Sequence, residues 1–502
     1  MGIEGAVELA GRTATELARM VRGRTVSARE VVAAHLERIE RANPALNAIV
    51  TLRAEGALEE AARLDRTLAG GNGASGDGPE SGGGELPLAG VPFTVKDLIA
   101  TAGVRTTAGT RFLGEFVPKL DATAVARLRA AGAILIGKTN CPEWGMFPYT
   151  RNARFGETIN PVAPALRRLS PGGSSGGEAA AVASGCSPLG LGTDFGGSLR
   201  WPAHCTGVLA LRPTAGRIAG TGQLPAPTLQ EPFVPNEVTL QGRAQVVGPL
   251  ARSVEDLELA LRTVAGPDGL DPFAVPAELR PSTGALPATV VMWEGPAWPA
   301  PRDDVIQVVR DAGSALERRG VALAGEAPDF LERAGSLYAD IRELDRLQDV
   351  RRLVRGREGE VGEDVRAAIA TAEEAERRQP ASDPAVLWQE RDRLRAELLA
   401  CLERSPILLM AVATVPAYPV DGPAPSVGGR QQSMWDVLVP SRLISLFGVP
   451  AASVPFGASA EGLPVGVQVV GRPFREDQVL AVARALMEER APAPWMTWEV
   501  GG

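Results

Sequence analysis

Residues 170–220 restrict the fold of this chain more than any other segment, because they are unusually rich in Gly and Ser and show little amphipathic pattern. A globular protein rarely keeps about fifty such residues unless the backbone itself is used, since backbone N–H and C=O groups are strong hydrogen-bonding groups. Only the short run EAAAVAS, 178–184, is typical of a helix within this segment. The segment therefore predicts a site built largely from backbone groups.

The first motif in this segment is PGGSSGGEAAAVAS, 171–184. A plain Gly-Ser linker is disfavoured, because an Ala-rich helix follows at once. A Gly-rich turn before a helix could also bind an anion through exposed N–H groups. The stretch matches the GxSxG elbow of α/β-hydrolases, but that elbow needs a hydrophobic strand before it and a histidine well downstream. LRRLS precedes it, and the downstream histidine, His204, stands only 30 positions after Ser174.

The second motif is GLGTDFGGSLRWPA, 190–203. It is not a dinucleotide-binding fingerprint, because Phe195 stands where that pattern requires a glycine. Two glycines directly before Ser198 allow several successive N–H groups to converge beside the serine hydroxyl. That arrangement is what an oxyanion hole requires.

The candidates for a general base are few. The chain has two histidines, of which His35 lies on an amphipathic helix and His204 remains an alternative because it is close to Ser198. Of 52 basic residues only Lys96, Lys119 and Lys138 are lysines. A lysine can become a base if burial lowers its pKa from ~10.4 towards 7–8, whereas arginine in effect keeps its proton. Lys96, at the end of an apolar segment in TVKDLI, has the environment for this shift.

A phosphate-loop match at 132–139 is interpreted as accidental. The pattern GxxxxGK[ST] is present, but its four intervening residues are apolar and predict a strand rather than a loop. Pro142 follows where the helix of a phosphate loop should begin. Lys138 is therefore predicted to be structural, and ATP or GTP binding is not expected.

Local patterns predict alternating helices and strands. Thr13 with Glu16 and Ser27 with Glu30 form capping boxes, and the second helix is expected to stop at Asn43-Pro44. Residues 70–85 are expected to form a flexible Gly/Ser-rich insert. Strands are expected in LNAIVTL, ATVVMWE, PILLMAVAT, PAASVPFG and PVGVQVVG, and helices over 302–319, 361–378, 384–404 and 475–489. The pattern predicts an α/β protein with helices over an extended sheet.

Bulk properties exclude several classes of protein. A net charge of −8 disfavours a nucleic-acid binder, and four cysteines in 502 residues form no disulfide framework. The longest apolar run, 407–415, is far short of the ~20 residues that span a membrane. The N-terminus lacks the basic-then-apolar order of a signal peptide. We therefore expect a cytoplasmic enzyme that binds neither nucleic acid nor membrane.

The sequence resembles the amidase signature family. The similar segments are GGSSGGEAAAVASGCSPLGLGTDFGGSLRWPAHCTGVLALRPT, AGVPFTVKD, GKTN at 137–140 and PVGVQVVGRPFRED. The resemblance covers about residues 10–490 and implies a large mixed central β-sheet covered by helices on both faces. It also implies one domain over 1–502, with a signature core at about 86–220 and a variable substrate-pocket region at about 320–440.

The resemblance assigns roles to particular residues. It implies Ser198 as nucleophile, Ser174 as a bridging serine after a cis Gly173–Ser174 peptide, and Lys96 as general base. The implied oxyanion hole consists of the backbone N–H groups of Phe195, Gly196, Gly197 and Ser198. The implied supporting residues are Ser175, Thr193, Asp194 and Arg200. No metal or cofactor is implied.

This sequence differs from the family pattern at two positions. Arg212 replaces the usual lysine in ALRPT, which affects no implied catalytic residue. Phe195 is bulkier than the residue often found there and is expected to narrow the acyl pocket.

The implied function is hydrolysis of amides through an acyl-enzyme. Trp144, Met146, Phe147 and Tyr149 form an apolar, aromatic stretch that is expected near the pocket, with packing in the core as the alternative. Together with Trp435 they favour hydrophobic or aryl amides, with carbamates (urethanes) and esters as side activities. The alternative is the glutamine-hydrolysing subunit of a tRNA-dependent amidotransferase. A catalytically silent binding protein is disfavoured by the intact triad. The partners expected are a small-molecule amide or carbamate and, at most, a second copy in a homodimer.

Overall fold

The structure is a computed structural model that describes residues 3–70, 86–162, 168–236, 238–324, 329–378 and 383–491. Most of the predicted flexible insert, residues 71–85, lies outside these ranges.

A large mixed β-sheet runs through the molecule. Within the described ranges eleven strands form it, in the spatial order β1 (Ile49–Leu52), β3 (Ile134–Thr139), β2 (Pro92–Lys96), β6 (Leu189–Asp194), β8 (Val246–Ala251), β7 (Leu209–Arg212), β14 (Ala451–Ala458), β15 (Pro464–Gly471), β11 (Ile407–Ala411), β9 (Thr289–Trp293) and β10 (Ala322–Ala324). Two small hairpins lie outside it, β4 (Arg151–Asn152) with β5 (Gly156–Glu157) and β12 (Ser426–Val427) with β13 (Arg430–Gln431). The strands β3, β2 and β6 are mutually parallel, whereas β8, β7, β14 and β15 alternate in direction.

Helices cover the sheet. Those of the N-terminal half are α1 (Ile3–Gly11), α2 (Ala14–Arg22), α3 (Ala28–Leu46), α4 (Ala54–Ala69), α5 (Thr123–Ala130), α6 (Gly176–Ala183), α7 (Arg200–Thr206), α8 (Leu240–Ala244) and α9 (Val254–Val264). Those of the C-terminal half are α10 (Asp303–Arg318), α11 (Leu331–Asp345), α12 (Gln348–Val354), α13 (Glu363–Arg378), α14 (Pro384–Arg404), α15 (Met434–Val437), α16 (Val439–Phe447) and α17 (Glu476–Glu489). Short 3₁₀ turns occur at Glu143–Gly145 and Glu358–Glu360.

Alternating side chains of β11 belong to two separate hydrophobic clusters, one on each face of the sheet. In β11, Ile407 and Leu409 belong to the larger core, which includes residues of α10 and α17, while Leu408 and Met410 belong to a second core with α11, α14 and α16. Successive strand residues point to opposite faces of a sheet, so a fully apolar strand requires cover on both. The predicted class, an α/β protein with a mixed sheet between helical layers, is confirmed.

The predicted elements are present, with one error at a boundary. Both capping boxes form, at Thr13 and Ser27. However, α3 does not stop at Asn43-Pro44 but continues to Leu46. A proline in the last turn removes only one N–H donor. The helix ends at Leu46 because the next residue, Asn47, adopts a left-handed conformation with φ 51°.

No helix in the described part of the chain is long and apolar enough to cross a membrane. The phosphate-loop match at 132–139 lies largely in β3, with Lys138 inside the strand. The interpretation of that match as a strand is therefore confirmed.

Candidate active site

Two neighbouring parallel strands, β2 and β6, end at the candidate active site. β2 pairs in parallel with β6, with Thr94 opposite Gly190 and Val95 opposite Leu191. Lys96 is the last residue of β2 and Asp194 the last of β6. In α/β sheets the carboxyl ends of adjacent parallel strands are the usual place for a ligand. The pairing therefore brings together two segments that are almost one hundred residues apart in the sequence.

Ser174 and Ser175 reach this edge from the loop before α6. The Gly173–Ser174 peptide is cis, and Ser175 N–H donates to the carbonyl of Ser198 at 3.1 Å. The loop needs glycine because a Cβ on Gly173 would lie 2.6 Å from both the backbone N and O of Tyr149. The glycines of the first motif thus allow the loop to pack directly against another segment of backbone.

Lys96 lies at the centre of a cluster of hydroxyl groups. Its Nζ is 2.7 Å from Ser174 Oγ, 2.8 Å from Thr193 Oγ1 and 3.0 Å from Ser175 Oγ. The lysine is fully buried, Ser174 is 2% exposed, and Ser198 is partly exposed to a cavity. This gradient of burial runs from Ser198 at the cavity to Lys96 in the interior.

The environment of Lys96 weakens its hold on a proton. Burial lowers the pKa of Lys96 to about 8, and this effect outweighs the nearby carboxylates of Asp194 and Glu178, which raise it. A charged ammonium without a paired anion is disfavoured in an apolar interior. The neutral form, which a general base requires, is therefore reached at a lower pH than in an exposed lysine, and it increases as the pH approaches 8.

The loop after β6 is held by a buried carboxylate. Asp194 accepts hydrogen bonds from Arg200 Nε at 3.0 Å and Nη2 at 2.8 Å, and from the amides of Gly197 at 2.9 Å and Leu199 at 3.1 Å. Burial opposes its ionisation, but Arg200 and then Arg212 bring the pKa of Asp194 below its usual range. The carboxylate stays charged and fixes the loop around Ser198.

One predicted oxyanion donor is already engaged. The N–H of Gly197 points to Asp194, so it does not face the cavity as an unoccupied donor. Within the described residues, the amides of Phe195, Gly196 and Ser198 have no protein acceptor. The sequence could not show which of these four amides face the cavity. The direction of each N–H depends on the tertiary contacts of Asp194.

A cavity of about 570 Å³ is lined by Ser174 and Ser198. Its apolar lining includes Leu98, Trp144, Met146, Phe147, Phe195, Tyr338, Leu438 and Trp435. The predicted placement of Trp144, Met146, Phe147 and Trp435 at the pocket agrees with this lining. Tyr149 does not line the cavity: its ring stacks on Phe147 at 5.3 Å, and its hydroxyl donates to Asp364 at 2.7 Å.

The resemblance implied a substrate-pocket region at about 320–440, but it identified no individual residue of the far wall of the cavity. Tyr338 and Arg342 reach it from α11, and Arg442 from α16. The Phe195 ring packs against Tyr338, with centroids 5.7 Å apart, and lies under the guanidinium of Arg342 at 5.3 Å. No local motif marks these residues, because they are ordinary positions on amphipathic helices.

The remaining basic candidates have other partners. His204 Nδ1 accepts from the amide of Gly466 at 3.0 Å, and Nε2 lies 3.2 Å from the carbonyl of Val415. Burial lowers the pKa of His204 to about 4, as it does for His35. Lys138 Nζ contacts the hydroxyls of Thr101 and Thr106, both at 2.9 Å. Lys96 is the candidate that touches a serine of the first motif.

Comparison with known proteins supports the sequence resemblance. The family model described as Amidase matches residues 30–480. A glutamyl-tRNA(Gln) amidotransferase subunit of Thermus thermophilus is 34% identical over 500 residues, covering 94% of this chain and 95% of that protein. The structure of 6-aminohexanoate cyclic dimer hydrolase complexed with substrate has a TM-score of 0.80 at 28% identity, covering 97% and 98% of the two chains. The corresponding amidotransferase subunit from Thermotoga maritima has a TM-score of 0.73 at 25% identity, covering 97% and 98%.

These relatives correct the prediction about partners. That prediction allowed only a small-molecule substrate and a homodimer, and excluded nucleic acid. It is wrong, because the similar proteins are named as one subunit of glutamyl-tRNA(Gln) amidotransferase. Net charge describes the whole surface of a chain, and it carries no information about a protein partner that completes an assembly.

Proposed function

This chain belongs to the amidase family, and we propose that it cleaves carbon–nitrogen amide bonds through an acyl-enzyme on Ser198. The observation that carries the proposal is the buried contact of 2.7 Å between Lys96 Nζ and Ser174 Oγ, beside a glycine-rich loop that presents Ser198 to a cavity. A nucleophile needs an adjacent base, and the base needs groups that orient it. Thr193 and Ser175 hold the lysine in place.

The proposed reaction transfers one proton from Ser198 to Ser174 and another from Ser174 to Lys96. Ser198 Oγ attacks the carbonyl carbon while its proton passes to Ser174 Oγ, and the proton of Ser174 passes to neutral Lys96. The carbon–nitrogen bond then breaks, and the relay returns a proton to the leaving nitrogen. Water attacks the resulting ester by the same path, which releases the acid and restores Ser198.

The proposed oxyanion hole uses the amides of Phe195, Gly196 and Ser198. The amide of Gly197 has a different role in this proposal, since it ties the loop to Asp194. Removal of one oxyanion donor typically lowers kcat by about 10²–10³. Arg200 supports the hole by fixing Asp194 through two hydrogen bonds.

One candidate role is that of the amide-hydrolysing component of an amidotransferase. Relatives named as a subunit of glutamyl-tRNA(Gln) amidotransferase, at 30–34% identity over 91–99% of this chain, support it. In this role the amide cleaved is the side chain of glutamine, and the ammonia passes to a second active site on a partner protein. The comparisons favour this role over the other.

A second candidate is hydrolysis of hydrophobic or aryl amides, with carbamates and esters as side activities. The apolar lining of the cavity, with Phe195 packed against Tyr338 in a tilted arrangement, favours it. We also propose that the region of about 320–440 sets substrate choice, since α11 and α13 contribute much of the cavity wall. The catalytic core at about 86–220 would then be common to both roles, within one domain.

The reaction type is tested by intact mass after reaction with a fluorophosphonate. We expect one adduct per chain that is absent in Ser198→Ala. A folded protein that forms no adduct would overturn the proposed chemistry.

The two roles are separated by a substrate panel. The purified chain is assayed on glutamine, anilides, aliphatic amides, carbamates and nitrophenyl esters, alone and with the partner subunits of a related amidotransferase. Glutamine hydrolysis that rises at least tenfold with the partners supports the amidotransferase role. Efficient hydrolysis of apolar amides by the chain alone, without response to the partners, contradicts it.

A further inference from the structure

Glu178 is a fully buried carboxyl group beside the candidate active site, and the proposed reaction does not use it. It lies in the first turn of α6, the helix that follows Ser174. The hydroxyl of Thr94 donates to its Oε1, and the hydroxyl of Thr139 donates to its Oε2 at 2.7 Å. Across the described ranges, no Lys, Arg or His nitrogen lies within 4.0 Å of either oxygen. Its direct partners are therefore neutral hydroxyls.

The two threonines place this carboxyl group on the same face of the sheet as Lys96. Thr94 stands two residues before Lys96 on β2, and strand residues two apart share a face. Thr139 is the partner of Lys96 in the pairing of β2 with β3. Glu178 therefore contacts one side chain on the strand of Lys96 and one on the neighbouring strand, directly beside the lysine.

The strand β6 leaves space for the carboxyl group. Gly190 pairs with Thr94, and a Cβ at this glycine would overlap with Oε1 of Glu178. The first glycine of the second motif is thus required by a buried acid, and the acid is built into the packing between α6 and the sheet.

Two other acidic groups act on Lys96, and neither supplies a free negative charge. Asp194, at the end of β6, is balanced by Arg200 at 2.8 Å and Arg212 at 3.3 Å. Cys141 follows β3, and burial raises the pKa of its thiol to about 12, so the thiol stays neutral at ordinary pH. Glu178 is therefore the acid near Lys96 whose charge has no arginine to balance it.

A second lysine also acts on Glu178, but it has a carboxylate of its own. Lys138 precedes Thr139 in β3, so its side chain leaves the opposite face of the sheet. There its Nζ lies 4.0 Å from Asp97 Oδ1. Lys96, in contrast, has hydroxyl groups as its hydrogen-bond partners among the described residues.

We propose that Glu178 is a positioning residue for the base, whose carboxylate stabilises the ammonium that Lys96 becomes when it accepts the proton of Ser174. The inference rests on the proposed function, since it needs Lys96 to act as the base. Opposite charges attract more strongly where water is excluded, so a carboxylate can act on the ammonium without touching it. Burial raises the pKa of Glu178 to about 7, which leaves the carboxylate mostly charged near pH 8, where Lys96 loses its proton.

The test measures how the rate of Ser198 labelling by a fluorophosphonate depends on pH, which requires no knowledge of the natural substrate. Glu178→Gln keeps the shape of the side chain and both threonine contacts but removes the charge. Without the carboxylate the ammonium of Lys96 is less stable, so we expect the midpoint of the profile to move to lower pH by roughly 1 unit. The plateau rate should fall by less than about tenfold, because a weaker base remains in place.

Two further variants complete the experiment. Glu476→Gln makes the same change at a fully buried carboxylate that is paired with Arg217, and it should leave the midpoint unchanged. Thr139→Val removes a hydrogen bond to the charged form of Glu178 and should move the midpoint in the same direction as Glu178→Gln, by less. This variant decides the question if Glu178→Gln does not fold.

The outcomes separate this inference from the proposed function. A midpoint that does not move, or that moves equally in Glu476→Gln, overturns the role of Glu178. A loss of rate that is the same at every pH would show a purely structural role and would also overturn it. In each of these cases an adduct on Ser198 leaves the proposed function standing, whereas absence of the adduct in the unmodified chain overturns the proposed function itself.

Discussion

At the scale of single residues, the two buried lysines show what makes a base. Burial lowers the pKa of both Lys96 and Lys138 to about 8, so the titration of the two side chains does not distinguish them. Their contacts do, since Lys96 touches the hydroxyl of Ser174 and Lys138 touches Thr101, Thr106 and, at 4.0 Å, Asp97. The proposal of Lys96 as base therefore rests on its contact with Ser174 and not on its pKa alone.

The pH dependence of catalysis should follow Lys96. The proposed base works in its neutral form, and that form increases as the pH rises through about 8. We therefore expect kcat/KM to rise with pH, with a midpoint near 8 and a plateau above it. Lys96→Arg should lower kcat by at least about 10², because general-base catalysis contributes about 10²–10⁴. Lys119→Arg, on an exposed lysine, should retain both the rate and the profile. A flat profile between pH 6 and 9 would argue against Lys96 as the base.

A second prediction at this scale concerns Asp194. Asp194→Asn removes the anion that balances Arg200 and Arg212, and leaves two buried cations without it. Breaking a buried pair in this way typically costs about 3–5 kcal/mol of unfolding free energy. Urea unfolding should show this loss, together with slower labelling of Ser198 by a fluorophosphonate. Asp392→Asn, in an exposed pair with Arg391, should change the free energy of unfolding by less than about 1 kcal/mol.

At the scale of elements, the site depends on the close approach of backbone segments. The parallel pairing of β2 with β6 fixes Lys96 beside Thr193, and the loop before α6 inserts Ser174 between them. That insertion leaves no room for a side chain at Gly173, where a Cβ would meet the backbone of Tyr149. Glycine at this position is thus a requirement of packing.

Gly173→Ala should therefore displace the loop. Overpacking of a buried site typically costs about 1–3 kcal/mol. We expect a lower melting temperature and at least a tenfold slower labelling of Ser198, because Ser174 would move away from Lys96. Gly359→Ala is the matched control, since a Cβ there meets no atom within 4 Å. Equal labelling rates in the two variants would contradict this account of the loop.

At the scale of the whole molecule, a buried ion pair joins distant parts of the chain. Glu476, at the start of α17, accepts from Arg217 Nη2 at 3.0 Å, from Thr214 N at 2.9 Å and from Thr214 Oγ1 at 2.6 Å. Arg217 and Glu476 are almost fully buried and 259 residues apart in the sequence. They connect the loop after β7 to the last helix of the described chain.

Glu476→Gln should destabilise the fold more than a surface substitution. The variant leaves Arg217 buried without its anion, so we expect a loss of about 3–5 kcal/mol in the free energy of unfolding. Glu255→Gln, which removes a partially exposed partner of Arg484, should cost about 0–1 kcal/mol. Labelling of Ser198 at a temperature where both variants are folded should be normal, since neither residue lies in the cavity. A loss below about 1 kcal/mol for Glu476→Gln, the range of a surface pair, would show that this pair does not stabilise the fold.

The sequence by itself determined the positions of the helices and strands and most of the candidate catalytic residues. Apolar periodicity and caps are local properties, so the strands at 289–293 and 464–471 and the caps at Thr13 and Ser27 could be predicted. Ser174 and Ser198 could also be predicted as candidates, because the glycines around each serine are its neighbours in the sequence.

Only the tertiary structure decided the rest. It directed Gly197 N–H to Asp194, turned Tyr149 towards Asp364, and carried α3 past Pro44 to a left-handed Asn47. It also brought Tyr338, 143 residues from Phe195 in the sequence, to the wall of the cavity, and Arg442 to the loop before Ser198. A pocket wall assembled from helices that are far apart in the chain has no local signature, because each residue in it satisfies the pattern of its own helix.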